Sequence, residues 1–302
     1  MEVNRLMIET SVAALNQAQR ERLAFIEFRL WFLGDVRRPD LIDRFGIAPA
    51  VATRDLSAYR ELAPGNIAFD GSRKVYVPTA AFKPVFEHDP DRVLSGLSRG
   101  FGEGIGRASE GFLPCEFPLR LNRPPLDVLA VVTRAIHRQC AVRLVYHSLN
   151  KGPSTREIVP FALVDSGLRW HARVFDRVSN EFRDMVITRM EAATLLTESS
   201  AAPHERPDRD VQWTRIVPLT LVPHPRQARP EIVARDFGIR DGGALTINVR
   251  AAIAGYVLQQ WSVDCSTDYA LDPKQYRLWL KDALVLYGVD NAVIAPGYRA
   301  PA

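Results

Sequence analysis

Four arginines, Arg156, Arg173, Arg183 and Arg189, lie within the stretch from Tyr146 to Arg189. Each sits beside bulky apolar residues in runs rich in Val, Ile and Phe, where a merely solvating charge would more often be Lys or Glu in a turn. Guanidinium groups gathered on one small sheet repel each other unless something anionic lies among them. The planar fork of Arg suits phosphate or carboxylate. The same stretch also offers an internal answer, because Asp165, Asp176, Glu181 and Asp184 are at hand to pair with these arginines. Residue types alone leave both chemistries open.

Strands must position these groups. The apolar runs are broken by LNKGPS, VDSG and DRVSN, which is turn chemistry, so the stretch reads as a small antiparallel sheet or barrel. Alternation puts Trp170, Ala172 and Val174 on one face and His171, Arg173 and Phe175 on the other. A helix from Leu126 to Gln139 leads into this sheet. His137 and Cys140 near it read as packing or surface residues rather than ligands.

At 302 residues the chain exceeds a comfortable single core, so two or three domains are expected. A hydrophobic content of 47% and a charged content of 25% are ordinary for a soluble protein. No apolar run reaches the length of a membrane span, and MEVNRLMIET is no signal peptide. Cys115, Cys140 and Cys265 are odd in number and far apart, which fits neither disulfides nor zinc and points to the cytoplasm. A net charge of +4 permits nucleic-acid binding without requiring it. The six histidines lack a ligand spacing, and no G-x-S-x-G elbow or P-loop appears. Asp236-Phe237-Gly238 mimics a kinase tripeptide, but the other kinase segments are absent. No catalysis, cofactor or metal is therefore expected.

The N-terminal region has its own logic. Ala18 to Leu33 has helical spacing at Leu23, Ile26, Leu30 and Leu33, and Gly34 closes it. Pro39 suits the first turn of a second helix with Leu41, Ile42 and Phe45 inward, which Gly46 breaks. A third helix starts at Pro49, carries Val51, Ala52, Leu56 and Tyr59, and stops at Pro64. Helix, glycine turn, helix is the helix-turn-helix layout, and its alternative is an ordinary helical hairpin. NIAFDGSRKVYV (Asn66–Val77) reads as two strands around Asp70-Gly71, hence a wing with Ser72-Arg73-Lys74 at its tip. A short helix near Arg92–Leu97 follows. Glycines at 96, 100, 102, 104, 106 and 111 then suggest a flexible linker.

Tyr146, REIVP (Arg156–Pro160), GLRWHAR (Gly167–Arg173) and FRDMVITR (Phe182–Arg189) together resemble a WYL domain, an Sm-like β-barrel of bacterial regulators taken to sense a nucleotide or nucleic-acid ligand. Trp170-His171-Ala172 stands where that family has Trp-Tyr-Leu, a departure similar to the BrxR/CapW group of phage-defence repressors. APGNIAFD through KVYV looks like the same group. VPHP, DFGI and INVR, with Arg250, resemble the C-terminal extension of WYL regulators. FGIAPAVATRDL resembles the recognition segment of DeoR-like winged helices.

The resemblance implies an α+β multidomain chain: a winged helix-turn-helix at 1–95, a linker at 96–124, a WYL barrel at 125–200 and a C-terminal α+β dimerisation domain at 210–302. It maps DNA contacts to Arg38, Ala50, Thr53, Arg54, Ser57 and Arg60, with Arg73 and Lys74 of the wing on phosphates. Arg54 has a structural alternative, pairing with Asp55 or Glu61. The implied molecule is a homodimeric repressor on inverted-repeat operator DNA, with no membrane partner, controlling a phage-defence operon. A nucleotide or single-stranded nucleic-acid effector would relieve it at Tyr146, Ser148, Arg156, His171, Arg173, Arg183 and Arg189. The alternative is an activator of a DNA-damage response triggered by single-stranded DNA.

Overall fold

Asn16 caps α1 (Gln17–Phe28) by accepting the Gln19 N–H on its side-chain oxygen at 2.9 Å. It continues as a π-helical turn, Arg29–Leu33, which ends at Gly34 with φ 81°. In α2 (Arg38–Phe45) Pro39 occupies the first turn, and the Asp40 carboxylate accepts the Arg37 N–H at 2.6 Å. Gly46, with φ 61°, breaks α2 as its sequence predicts. Pro49 opens α3 (Pro49–Leu62). The computed structural model describes residues 12–100, 111–116, 122–240 and 242–300. Much of the expected linker at 96–124 lies outside the described residues.

Strands β1 (Ile67–Asp70) and β2 (Val75–Pro78) form the antiparallel wing, and Val36 adds a third, single-residue bridge to Tyr76. The turn differs from the two-residue Asp70-Gly71 reading. Asp70 pairs with Val75, so residues 71–74 make the connection. The Asp70 carboxylate accepts the Ser72 and Arg73 N–H groups at 3.0 and 3.1 Å, and Lys74 adopts the left-handed φ of 54°. Helix α4 (Pro90–Arg99) follows, capped by Asp89. Leu23, Ile26, Leu30, Leu41, Leu56 and Tyr59 are buried in the core that joins α1, α2 and α3. These elements form one compact unit, Met1–Phe117, and the rest forms a second, Pro118–Ala302.

The second unit starts with α5 (Leu126–Arg138), whose Val128, Val132 and Ala135 face the sheet. That sheet has the order β6-β5-β4-β3-β7, from β3 (Cys140–Ser148), β4 (Gly152–Asp165), β5 (Trp170–Asp176), β6 (Glu181–Val186) and β7 (Met190–Ser200). Strand β4 pairs with β3 through residues 152–158 and with β5 through residues 158–165. Pro160 sits inside this long strand because the ladder is irregular between Pro160 and Ala162, where a missing N–H costs little. A closed Sm-like barrel was the expectation, but the pairing leaves β6 and β7 as separate edges. The described sheet is open.

A four-stranded sheet, β10-β11-β8-β9, completes the unit. It contains β8 (Ile216–Pro223), β9 (Leu245–Arg250), β10 (Val263–Asp264) and β11 (Leu278–Leu280). A short helix α6 (Val211–Thr214) precedes it, and α7 (Pro230–Asp236) and α8 (Ala251–Gln260) pack on it. A Cβ on Gly255 would fall 2.0 Å from the Asn291 carbonyl oxygen, so only glycine lets α8 approach that segment.

Candidate functional site

The inner face of α3 is fixed by two buried polar contacts. Asp55, 2% exposed, takes a forked pair of hydrogen bonds from Arg22 at 2.6 and 3.2 Å. Tyr59, one turn on, donates its phenol to the buried Glu27 carboxylate at 2.8 Å. Burial, together with the Glu27 charge, pushes the Tyr59 phenol up, so it remains the donor. With Asp55 and Tyr59 turned inward, the other side of the helix is dictated by its 3.6-residue turn. Ala50, Thr53, Arg54 and Arg60 are exposed and Ser57 is half-buried. Thr53 donates to the Pro49 carbonyl at 3.0 Å and keeps its acceptor lone pairs.

Among the described residues Arg54 has no ion pair with Asp55, which Arg22 already holds, nor with Glu61. Among the described residues Arg38, Arg54, Arg60 and Lys74 have no ion pair. Arg73 differs, since its guanidinium reaches Asp35 at 3.1 Å while remaining largely exposed.

On the five-stranded sheet, side-chain parity divides the seven candidates. Tyr146, Ser148, Arg156, Arg183 and Arg189 line one cavity of about 570 Å³, together with Lys151, Asp176 and Glu181. Arg156 shares the face of Ile158, and Arg183 that of Met185, so this cavity lies on the α5 side of the sheet. Arg156 donates to Asp176 at 3.1 Å and to the Ser154 hydroxyl at 3.1 Å. Arg183 pairs with Glu181. Its Nε–H is buried with no hydrogen-bond partner among the described residues, and the Asp176 carboxylate stands 3.8 Å away. Tyr146 is pinned at its hydroxyl by the Val186 N–H at 3.2 Å. Arg189 has no ion pair among the described residues. Lys151, Arg156, Arg183 and Arg189 face the carboxylates of Asp176, Glu181 and Asp184 in this lining, and Asp184 is itself engaged by Arg173, so cations outnumber carboxylates by one.

Arg173 and His171 lie on the opposite face. Arg173, 3% exposed, forks onto Asp210 at 2.7 and 3.0 Å and reaches Asp184 at 3.3 Å. Burial works against its charge, yet Asp210 and Asp184 together outweigh that cost and hold the guanidinium above its usual range. Burial pushes the Asp184 carboxyl up, opposed by Arg173 and by the Tyr256 hydroxyl, which donates to it at 3.0 Å. His171 stacks on Tyr256 with ring centres 5.1 Å apart. Burial, then the nearby Arg169 and Arg189 charges, pull His171 down to about 4, so it is neutral at physiological pH. This set ties β5 and β6 to α6 and α8. Arg173 is committed to Asp210 and Asp184, while the buried His171 Nδ1 has no hydrogen-bond partner among the described residues.

Of the internal partners weighed from sequence, Asp176, Glu181 and Asp184 do hold arginines. Asp210, Tyr256 and Glu27 were missed. Asp210 lies in a polar loop far along the chain, and nothing local marks it. Glu27 had a signal, as the one carboxylate in the otherwise apolar FIEF of α1. In the C-terminal motifs, His224 meets Asp264 at 3.1 Å with both buried. Arg250 donates to the Trp213 carbonyl at 2.6 Å and covers its ring, so VPHP and INVR build the domain.

Three family models match in chain order: the BrxR transcriptional regulator winged helix-turn-helix domain at residues 18–99, the WYL domain at 127–195, and the BrxR transcriptional regulator C-terminal dimerization domain at 216–286. The DNA-binding transcriptional repressor CapW of Escherichia coli (strain KTE188) is 31% identical over 282 residues, 90% of this chain and 91% of that protein. CapW proteins of Pseudomonas aeruginosa (31%, covering 82% of this chain and 83% of that one) and Stenotrophomonas maltophilia (32%, 82% and 84%) are similarly close. Among solved structures, the proteasome accessory factor B/C (PafBC) of Arthrobacter aurescens matches 92% of this chain and 46% of its own length, at 15% identity and TM-score 0.27. The chain thus spans about half the length of that protein. With all three domains matched in order and relatives above 30% identity across most of its length, the chain belongs to the BrxR/CapW family of WYL-domain transcriptional repressors.

Proposed function

We propose that this protein is a homodimeric repressor that binds an inverted-repeat operator and controls a phage-defence operon. The reading includes release by a phosphate-bearing effector, a nucleotide or single-stranded nucleic acid, at the cationic cavity of the WYL sheet. The observation that carries DNA binding is the outward row Thr53, Arg54, Ser57 and Arg60 on α3. Its cations are uncommitted while Asp55 and Tyr59 lock the inner face. A two-fold dimer presents two such helices to two half-sites, which is the reason for an inverted repeat. The CapW relatives, named as DNA-binding repressors, support the sign of regulation. The domain limits we assign are 1–95, 96–124, 125–200 and 210–302.

For the effector site, the supported set is Tyr146, Ser148, Arg156, Arg183 and Arg189. Arg183 carries a buried, unsatisfied N–H there, and Tyr146 can stack on a base at the rim. A ligand releases DNA only if it binds the two dimer states with different affinity. The test has two arms. Deleting the gene should raise expression from a reporter fused to the neighbouring promoter, whereas a fall would make the protein an activator. Short oligonucleotides and cyclic nucleotides titrated into the purified chain should bind, and Arg156→Ala should abolish that binding. If the parent binds none of them, the effector reading is lost and the operator reading stands separately.

A further inference from the structure

Glu27 is a hub rather than a simple pair. Its Oε2 accepts the Tyr59 hydroxyl at 2.8 Å and the Val85 N–H at 2.9 Å. Its Oε1 accepts the Phe86 N–H at 2.9 Å and faces His88 Nε2 at 3.0 Å. The Tyr59 hydroxyl in turn accepts from Asn66 Nδ2 at 3.1 Å. Asn66 then clasps Lys83, donating to its carbonyl at 2.7 Å and accepting its N–H at 2.9 Å. One carboxylate therefore joins the recognition helix, the residue just before the wing, and the strap at 83–88 that leaves the wing for α4.

A fully buried carboxylate is expensive, and it is tolerated only where hydrogen bonds offset the lost hydration. Leu or Met at this position would fill the core without that cost. What an apolar side chain cannot supply is a fixed angle. Asp55 and Tyr59 are one turn apart on α3, so Arg22 and Glu27 together set how far the helix is rotated about its axis. Each residue of helix turns by about 100°, so a modest rotation re-aims Thr53, Arg54 and Ser57 away from a base edge. The strap held by the same carboxylate is the covalent route to α4 and the remainder of the chain.

We infer that Glu27 is a positioning residue for DNA recognition: its carboxylate sets the angle of α3 and couples it to the wing and to the strap at 83–88. This rests on the DNA-binding reading above. To test it, the full-length parent is used to select a duplex from a random-sequence pool. Binding of that duplex and of an unrelated duplex of equal length is then compared for the parent, Glu27→Gln and Tyr59→Phe. Gln keeps the side-chain volume but can accept hydrogen bonds at only one of its two terminal atoms. Glu27→Gln should lose roughly tenfold or more on the selected duplex and less than about twofold on the unrelated one. Tyr59→Phe should lose about threefold, again on the selected duplex alone. A residue that merely filled the core would weaken both duplexes together, in step with the unfolded fraction read by circular dichroism. Parallel loss on both duplexes, or parent-like discrimination by Glu27→Gln, overturns the inference. Should that variant not fold, unchanged discrimination by Tyr59→Phe overturns it. A parent chain that selects no duplex overturns the DNA-binding reading itself, an outcome recognisable before any variant is made.

Discussion

The arginines of the recognition helix and those of the WYL sheet are the same residue under opposite treatment. Arg54 and Arg60 stand in solvent without an ion pair among the described residues, whereas Arg156, Arg173 and Arg183 each touch a carboxylate. Free cations suit a polyanion, whose bound counterions are released whichever sequence is present. Cations already paired suit discrimination, because an incoming anion must better the carboxylate it displaces. Within the sheet the contrast sharpens again. Arg156 borders a cavity and is partly exposed, but Arg173 is sealed between Asp210 and Asp184.

The largest effect should come from breaking the sealed set. Asp210→Ala leaves Arg173 buried and half-paired and removes the cap on α6, so unfolding free energy should fall by about 3–5 kcal/mol. Arg156→Ala, on the other face, should cost less, about 1–2 kcal/mol, because the buried Asp176 keeps hydrogen bonds from the Val178 N–H and the Ser179 hydroxyl when Arg156 is removed. Urea denaturation of the two variants checks this ordering. Equal losses would erase the distinction between the two faces.

Acid should act on the same sealed face. His171 has a folded pKa of about 4 against an ordinary value of 6.5, so the unfolded chain takes up its proton first as pH falls. The stability it contributes is complete above pH 6.5 and is lost between there and about pH 4, at most about 3 kcal/mol. The Asp184 carboxyl is shifted upward and works in the opposite sense, so the measurement is the parent minus His171→Phe over that window. A pH-independent difference would mean that His171 takes up its proton equally in the folded and unfolded chain, at its ordinary value.

On the helix side, Arg54→Ala should weaken a selected duplex by about 1–3 kcal/mol and relax preference at one base position. Uniform weakening across sequences would make Arg54 a phosphate contact instead.

The element order was legible because each boundary carries a local signal. Pro39, Pro49, Gly34 and Gly46 mark the ends of the helices, and the turn sequences of the sheet divide its strands. Sheet closure was not legible, because pairing between strands distant in sequence leaves no local mark. The arginine set shows the limit most clearly. Alternation correctly put Arg173 opposite Ala172 and Val174, but applying it across β4 and β6 would have needed the register between strands. Only the register shows that Arg156 and Arg183 share the α5 face while Arg173 does not. Asp210, the strongest partner of Arg173, lies 37 residues away, beyond any pattern in the strand.

The smallest expected effect is at the wing tip, where two adjacent cations differ in one contact. Lys74 is exposed and unpaired among the described residues, while Arg73 is held by Asp35 at 3.1 Å. If both meet phosphates, Lys74→Ala should flatten the slope of log affinity against log salt by about 0.9, the value of one released counterion. Arg73→Ala should change the slope less. Before binding, Arg73 is already partly neutralised by Asp35, and breaking an exposed pair of this kind costs about 0.2–1 kcal/mol. Asp35→Asn separates the two contributions. It should strengthen binding to every duplex by a factor of about two to three and make Arg73→Ala as costly as Lys74→Ala. Fluorescence anisotropy at four salt concentrations resolves these slopes. Identical slopes for Arg73→Ala and Lys74→Ala with Asp35 intact would show that the Asp35 contact does not persist when DNA is bound.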